Sequence, residues 1–589
     1  MPRHSFDRLA ILAVDAIVVV ATTLALLLLS IGVIDIEWGW LRLRATHVWR
    51  ALAVAGLGLS VGWWLLERAR SRGDRGIAHF ADYAARRGVI ALLLAVSVIY
   101  WVYAVRACGG LDSYGYVGAS ALIASGALKE DQPLAALLPF ERAAYATAPL
   151  GFVVGHDGSS RVPRFPLGLP LVMAAFRIVG PTGPLLVSQV LACATLLIVF
   201  LLARDVASTP TALFAAALVA VHPTFVNAAI QPMSDVPAAF WLVAGVWLAL
   251  VKGSQPILAG LCLGMSLLTR PALLPAIVVT LALYGGRLHP SIYARGALSI
   301  VEGQVPRKRS PIALLFGTTA VFLVTQLLIN ASLYGSPTGS GYGTFGELFQ
   351  SSRMLTNLAN IARWVTYTST PILWVAWALA LVLLRREKWP TALSIVALGV
   401  TLPYVFYLTY DDWESTRFLL PAIVLVIIIS ARSIDAALSS MLRPEWRTVV
   451  MLILALAGAY GSRQVLEEHH VFDLWRGEAK YALVGQWFRD RTPPRSVVVS
   501  SLHSGAIRYY GGRDTIRWDE LPPGSLIPTL QSLEQHGYSV YLALDEPSEA
   551  EPFRGRFQSE LEVTAMDAVG RVREVNFYRL SVSAPRKVI

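Results

Sequence analysis

The sequence predicts a mainly α-helical, polytopic membrane protein of about 13 transmembrane helices, ending in a small α/β domain outside the membrane. Three observations predict it. Of 589 residues, 55% are hydrophobic and only 15% charged, where a soluble protein carries nearer a quarter charged. Apolar runs such as "LAILAVDAIVVVATTLALLLLSIGVI" (9–34) exceed the ~20 residues that span a bilayer. Past residue 461 the long apolar runs give way to strand-length ones.

The run at 9–34 is too long for a signal-peptide core and is followed by no clean cleavage site, so it reads as a retained anchor. Arginines then set the orientation, because basic loops stay in the cytoplasm. "MPRHSFDR" at the start and "WWLLERARSRGDRG" with "ADYAARRG" (63–88) are basic. Residues 1–87 are therefore expected to hold two extra N-terminal spans, with a third near 88–106 running outward. The basic stretches 285–311, "RREKWP" (385–390) and "ARSIDAALSSMLRPEWR" (431–447) are expected inside. Residues 107–165, 331–370 and 409–417 are expected outside. "PLGLPLVMAAFRIVG" (166–180) is too short and too broken by proline to cross comfortably, and reads as re-entrant or interfacial.

These clusters account for the net charge of +11, so no nucleic-acid partner is called for. The three cysteines, Cys108, Cys193 and Cys262, sit in or beside apolar runs and form no disulfide or metal framework. The chain divides into 1–87, a transmembrane core at 88–460, and a soluble domain at 461–589. In the last, "SVVVSS" (496–501), "YSVYLAL" (538–544) and "VREVNFYRL" (572–580) read as strands, with a helix at "SLIPTLQSLEQHG" (525–537).

Ionisable groups are costly at a membrane boundary, and four stretches place them there. Asp112, in "CGGLDSYGYVGAS", opens a helix-like run after two glycines. It suits an N-cap, and equally a general base toward an acceptor hydroxyl. Asp235, in "QPMSDVPAAF", carries the same pair of readings. Arg270-Pro271 interrupts the apolar stretch 256–285. Its guanidinium could snorkel or meet a phosphate with paired N–H donors, and a helix break is tolerated where it lines a cavity. Arg417, in "TYDDWESTRFLLPA", sits at the outer start of a span beside Asp411, Asp412 and Glu414, acids that also suit a solvated loop. Two matches carry little. "GYGTFG" (341–346) lacks the strand and βαβ unit that a dinucleotide fingerprint needs. Asn330-Ala331-Ser332 is a sequon short enough to arise by chance. No D-x-D, P-loop or H-E-x-x-H occurs.

In this order, an outer loop opening with Asp112, "RFPLGLPLVMAAFRIVG", "QPMSDVPAAF" and "GLCLGMSLLTRP" resemble the GT-C glycosyltransferases. The resemblance covers roughly residues 88–430. Its nearest branches are protein O-mannosyltransferases and the bacterial lipid A aminoarabinose and galacturonic acid transferases. It implies a polyprenyl-phosphate-linked sugar as donor, a glycan or glycolipid acceptor, inversion at the anomeric carbon, and a site on the periplasmic or extracellular side of the bacterial inner membrane. Asp112 then matches the catalytic aspartate and Asp235 the second acid. Arg164, in "RFPLG", matches a basic residue that touches the donor phosphate, with Arg270 and Arg417 as further phosphate ligands. Tyr114, Tyr116, His156 and Tyr342 are candidates for holding substrate. No cofactor is firmly implied; a divalent metal is left open, with no residue assigned to one.

Where the family often reads Asp-Glu-x-Arg-Tyr, this chain reads Asp112-Ser113-Tyr114-Gly115-Tyr116. The absent glutamate and arginine weaken a protein-mannosylating reading. The competing classes are a protein O-glycosyltransferase and a transporter or flippase of lipid-linked sugars. A transporter should carry charges near span centres and a repeated pair of broken helices. Here the charges lie at span ends, except Asp15.

Overall fold

The computed structural model describes residues 80–286, 310–384, 387–408, 410–546 and 548–582, together with scattered positions between 14 and 61. Most of the expected N-terminal spans, Asp15, and most of the basic stretch 285–311 lie outside the described residues. Two strands are described before residue 80, Ile34–Trp38 (β1) and Leu41–Ala45 (β2), paired antiparallel with Ile34 opposite Ala45.

The body is a helical bundle. In chain order its main helices are Phe80–Val102 (α1), Asp112–Ala124 (α2), Gly168–Phe176 (α3), Val187–Val206 (α4), Thr209–Val221 (α5), Pro223–Ala229 (α6), Asp235–Val246 (α7), Pro256–Thr269 (α8), Pro311–Tyr334 (α9), Met354–Thr368 (α10), Pro371–Leu383 (α11), Lys388–Val405 (α12), Leu420–Met441 (α13) and Pro444–Glu468 (α14). Helix α9 shows why such a segment forms and stops. Proline occupies the first position of its 24 apolar-rich residues, and Gly335 ends it at φ +79°, a conformation glycine enters freely.

Among the described residues, five helices are long and apolar enough to cross a membrane, or seven if each of two bent pairs is one span. Several apolar runs that read as continuous are broken by proline, at His222-Pro223, Arg270-Pro271 and Thr370-Pro371. The segment Gly168–Val179 is a short apolar helix. At ~1.5 Å per residue its twelve residues cover about 18 Å, well short of a ~30 Å hydrocarbon core.

Helices α4, α5, α7 and α13 form the centre, with Val199, Ala215, Leu242 and Val424 fully buried. Small residues let neighbours approach closely, as expected where lipid supplies no hydrophobic drive between helices. A Cβ at Gly264 of α8 would enter the Phe322 ring of α9.

The C-terminal domain adds helices Leu474–Arg491 (α15), Leu526–Gln535 (α16) and Ala550–Leu561 (α17) to a five-stranded sheet. A short three-stranded sheet in the segment 107–165 holds Glu130–Asp131 (β3), Phe152–Val154 (β4) and Ser160–Pro163 (β5). The larger sheet holds Ser496–Val499 (β6), Asp514–Ile516 (β7), Ser539–Asp545 (β8), Thr564–Val572 (β9) and Val575–Val582 (β10), in spatial order β7-β6-β8-β10-β9. Strand β6 runs parallel to β7 and β8, and β10 antiparallel to β8 and β9. Val497 and Val499 join one apolar cluster while Val498 joins the other, the period-2 signature of a strand buried on both faces. The run "VREVNFYRL" was expected to be one strand. It straddles the β9–β10 turn, where Arg573 takes φ +52°; that turn lacks the usual Asn-Gly signal.

Two ends of the bundle are distinguishable. At one, the C-terminal domain meets the 107–165 segment, with Arg517 N–H donating to Ala146 O and Ser532 Oγ to Leu137 O. That segment meets the end of α9 through Tyr334 Oη to Pro163 O at 2.7 Å. At the other, Arg432 and Glu387 pair at 2.7 Å, joining two stretches expected to lie inside together.

Candidate active site

Helix α2 starts after Gly109, Gly110 and its N-cap residue Leu111, and Gly110 takes φ +59°. Asp112 is its first residue, yet it does not cap the helix. Its Oδ2 accepts from Arg417 Nη2 at 3.0 Å. Arg417 is delivered by the 3-10 turn Trp413–Leu419 that opens α13, and Asp412 caps that turn by accepting from Ser415 N at 2.9 Å. Asp412 therefore takes the bland role its loop suggested. Asp112 and Arg417 keep about a quarter of their side-chain surface exposed, at 26% and 23%, so this pair faces accessible space.

The second pair is deeper. Arg270 is the C-cap of α8, in extended conformation at φ −150°, and Pro271 brings no N–H to satisfy there. The Arg270 side chain donates to Asp235 Oδ1 at 2.6 Å and Ser234 Oγ at 3.0 Å. The Arg270 and Asp235 side chains are 12% and 3% exposed. Ser234 Oγ also accepts from Tyr116 Oη at 2.9 Å. Burial pushes the Tyr116 hydroxyl above its ordinary pKa, which keeps it a donor. Asp235, like Asp112, turns to a guanidinium rather than to its own helix end.

Phe418 joins the two pairs. The guanidinium carbons of Arg270 and Arg417 each lie 5.3 Å from its ring centroid, and Tyr404 stacks on it at 5.4 Å. Aromatic rings hold cations at this range, so one ring gathers both arginines with their carboxylates. Arg417 Nη1 also approaches Met233 Sδ at 3.1 Å. Phe418, Ser234, Met233 and Tyr404 were not singled out from sequence. Phe418 and Tyr404 lie in apolar runs that read as ordinary membrane helix; Ser234 and Met233 were quoted beside Asp235 without a role.

Arg164 stands at the edge of a cavity of about 670 Å3 lined mainly by apolar groups, among them Phe165, Pro271, Leu323, Leu402 and Phe406. Its guanidinium lies 5.8 Å from the Tyr342 ring, and Tyr342 in turn meets Phe165 at 5.5 Å. Gly341 allows this: a Cβ there would strike the Arg164 backbone. Two buried donors in this region have no partner, Arg164 Nε and Arg270 Nη1.

Not every candidate reaches this region. Tyr114 packs on Phe152 at 5.8 Å and against Gly505 of the C-terminal domain. His156 is exposed and lies against Gly335. Gly115, which stands where the resembling family carries arginine, is covered by the Phe165 ring and the Gly151 backbone, so packing leaves no room for that side chain. Among the described residues no three His, Cys, Asp or Glu side chains gather as metal ligands, and guanidinium groups occupy both site carboxylates. These residues do not fit a resident cation.

Among solved structures, ArnT from Cupriavidus metallidurans in the apo state aligns with a TM-score of 0.51 at 14% identity, covering 84% of this chain and 98% of that one. The same protein bound to undecaprenyl phosphate aligns at 0.50 and 12% identity, covering 85% and 99%. The oligosaccharyltransferase of Archaeoglobus fulgidus aligns at 0.47 and 14%, covering 84% and 75%. No family model and no curated protein matches the sequence. The chain is thus a helical membrane protein of GT-C fold, the fold its motif order implied.

Proposed function

We propose that the chain is a membrane glycosyltransferase. It would move a sugar from a polyprenyl-phosphate donor to a glycan, glycolipid or cell-wall acceptor, with inversion, at the outer face of the bacterial inner membrane. The observation that carries this reading is two partnerless buried donors, Arg164 Nε in the wall of an apolar cavity of about 670 Å3 and Arg270 Nη1, whose neighbour Pro271 lines the same cavity. A buried N–H without an acceptor is costly, and guanidinium suits phosphate. The apolar lining suits the polyprenyl chain. ArnT, of the same fold, has been solved with undecaprenyl phosphate bound.

In this reading Asp112 accepts the proton of the acceptor hydroxyl, and its oxygen attacks the anomeric carbon from the face opposite the phosphate. The bond from that carbon to the phosphate oxygen breaks, and its electron pair leaves on the lipid phosphate. Arg164, Arg270 and Arg417 stabilise the charge that builds there, while the sugar passes an oxocarbenium-like state. The leaving group is already a stable anion and needs little acid help. Tyr116 and Tyr342 line the approach. About 13 spans, with the soluble domain outside, complete this arrangement. A flippase of lipid-linked sugars would need the cavity but not a base.

Mass spectrometry of surface glycans from a deletion strain tests the reading. One sugar-bearing species should disappear, return with the wild-type chain, and stay absent with Asp112→Ala. Full restoration by Asp112→Ala would contradict the enzyme reading and favour a flippase.

A further inference from the structure

We propose that the C-terminal domain is a splint that fixes the reach of Asp112, with Tyr510, Tyr481 and Ser504 as positioning residues. This rests on the reading of Asp112 as the base.

The first observation concerns sheet topology. After β6 the chain passes first to β7 on one side and later to β8 on the other. The carboxyl end of β6 is therefore a topological switch point, the place where an open α/β sheet usually takes a ligand. Here that place is filled by α2 and by Leu150 of the same 107–165 segment. The segment leaving β6 brings Ser504, whose Oγ accepts from Leu150 N at 3.1 Å. It also brings Gly505, where any Cβ would enter the Tyr114 ring of α2. Tyr114 lies two residues after Asp112, and both it and Gly505 are buried.

The second observation is independent and concerns the backbone just before Asp112. Tyr510 Oη accepts from Cys108 N at 3.0 Å. The Tyr481 ring lies flush on Gly109, leaving no room for a Cβ, and its hydroxyl reaches Gly110. The three residues feeding α2 are thus held from outside by two tyrosines of the C-terminal domain. Further along, Arg177 ties the pieces together, donating to Val117 O of α2 at 3.2 Å and to Tyr509 Oη at 3.4 Å.

Helix α2 is consequently gripped on two sides. Asp112 and Tyr116 meet the arginines of the core, while Tyr114 and the Cys108–Gly110 backbone meet the C-terminal domain. Gly109 and Gly110 would otherwise be a natural swivel. A misplacement of about 1 Å in a reacting group can cost about a hundredfold in rate, so a grip on this swivel bears on turnover rather than on donor binding, which lies with Arg164, Arg270 and the cavity.

The test uses the full chain in detergent, with Tyr510→Phe, Gly109→Ala, the double variant Gly109→Ala/Tyr481→Ala, and Asp112→Asn as reference. Three quantities are read: amide hydrogen exchange over 106–116, binding of undecaprenyl phosphate, and sugar transfer from lipid-linked donor extracted from native membranes. Tyr510→Phe and Gly109→Ala should exchange about tenfold faster over 106–116 with the five-stranded sheet still protected. They should transfer about tenfold more slowly or worse, with undecaprenyl phosphate affinity changed by less than about twofold. Removing the Tyr481 ring should recover part of the Gly109→Ala loss. Unchanged exchange over 106–116 in both single variants would overturn the splint. So would wild-type transfer by both while Asp112→Asn is inactive. If Asp112→Asn transfers normally the base reading fails instead, and the exchange result still decides whether the splint exists.

Discussion

Arg270 commits one arm of its guanidinium to Asp235 and Ser234 and leaves Nη1 buried without a partner. The same side chain therefore does two jobs, neutralising a buried acid and offering a donor. The first job makes truncation expensive, because removing one member of a buried pair strands the other charge. Arg270→Ala is expected to destabilise the chain by roughly 3–5 kcal/mol, measured as a lowered unfolding midpoint in detergent. A variant as stable as wild type would mean the pair is weaker than its 2.6 Å contact implies. Asp112 and Arg417 are more open, so substitutions there should act on transfer more than on stability. Legibility at this scale was uneven. Both aspartates and Arg417 stand out in sequence as ionisable groups at the edge of apolar runs, Arg270 stands out inside one, and Arg164 is named only through the family resemblance. Phe418, which joins the two pairs, reads as one more membrane-facing aromatic.

Helix breaks and close approaches carry the site at the level of elements. The Arg270-Pro271 break exists in sequence as an arginine and a proline inside an apolar stretch, and it was readable for that reason. What it packs against was not. Gly168, the first residue of α3, lies so close to the Thr269 and Leu268 backbone of α8 that a Cβ has no space. Gly168→Ala should push α3 off the break and cost about 1–3 kcal/mol, read by thermal unfolding; no loss would mean the two backbones can separate freely. In the C-terminal sheet, β6, β8 and α16 were legible as apolar periodicity. The short strand β7 and the β9–β10 turn were not, since three residues give too little pattern and Arg573 gives no turn signal.

The end of β8 also carries a buried network. Burial would raise the carboxyl of Asp545, but hydrogen bonds from His503 and from Lys480, the latter at 2.6 Å, outweigh it and hold it below its usual range. A depressed carboxyl contributes stability above its unfolded pKa of about 3.9, and that stability is lost as pH falls through the folded value. The C-terminal domain should therefore hold above about pH 4 and loosen below it. Lys480→Met should move the acid midpoint upward, followed by the fluorescence of Trp487 and Trp518. An unmoved midpoint would remove Asp545 from the acid limb.

Across the whole molecule, two ends of a helical bundle hold different chemistry. One end gathers ion pairs of Arg432 and Arg447 with Glu387 and Asp435. The other gathers Asp112, Asp235, three arginines, an apolar cavity and the C-terminal domain. Membrane class was legible from composition alone. Two features were not legible: the proline breaks divide runs that look continuous, and the C-terminal domain grips the segment before Asp112 through tyrosines as far as 402 residues away in sequence. Such long-range contacts leave no local pattern.

The account turns on Asp112 acting on a sugar whose lipid phosphate is held by the arginines. The direct measurement is undecaprenyl phosphate binding and sugar transfer read on the same purified samples of wild type and Asp112→Asn. The account predicts that binding is kept while transfer falls by roughly 10²–10⁴. Asp112→Asn transferring at the wild-type rate would contradict it.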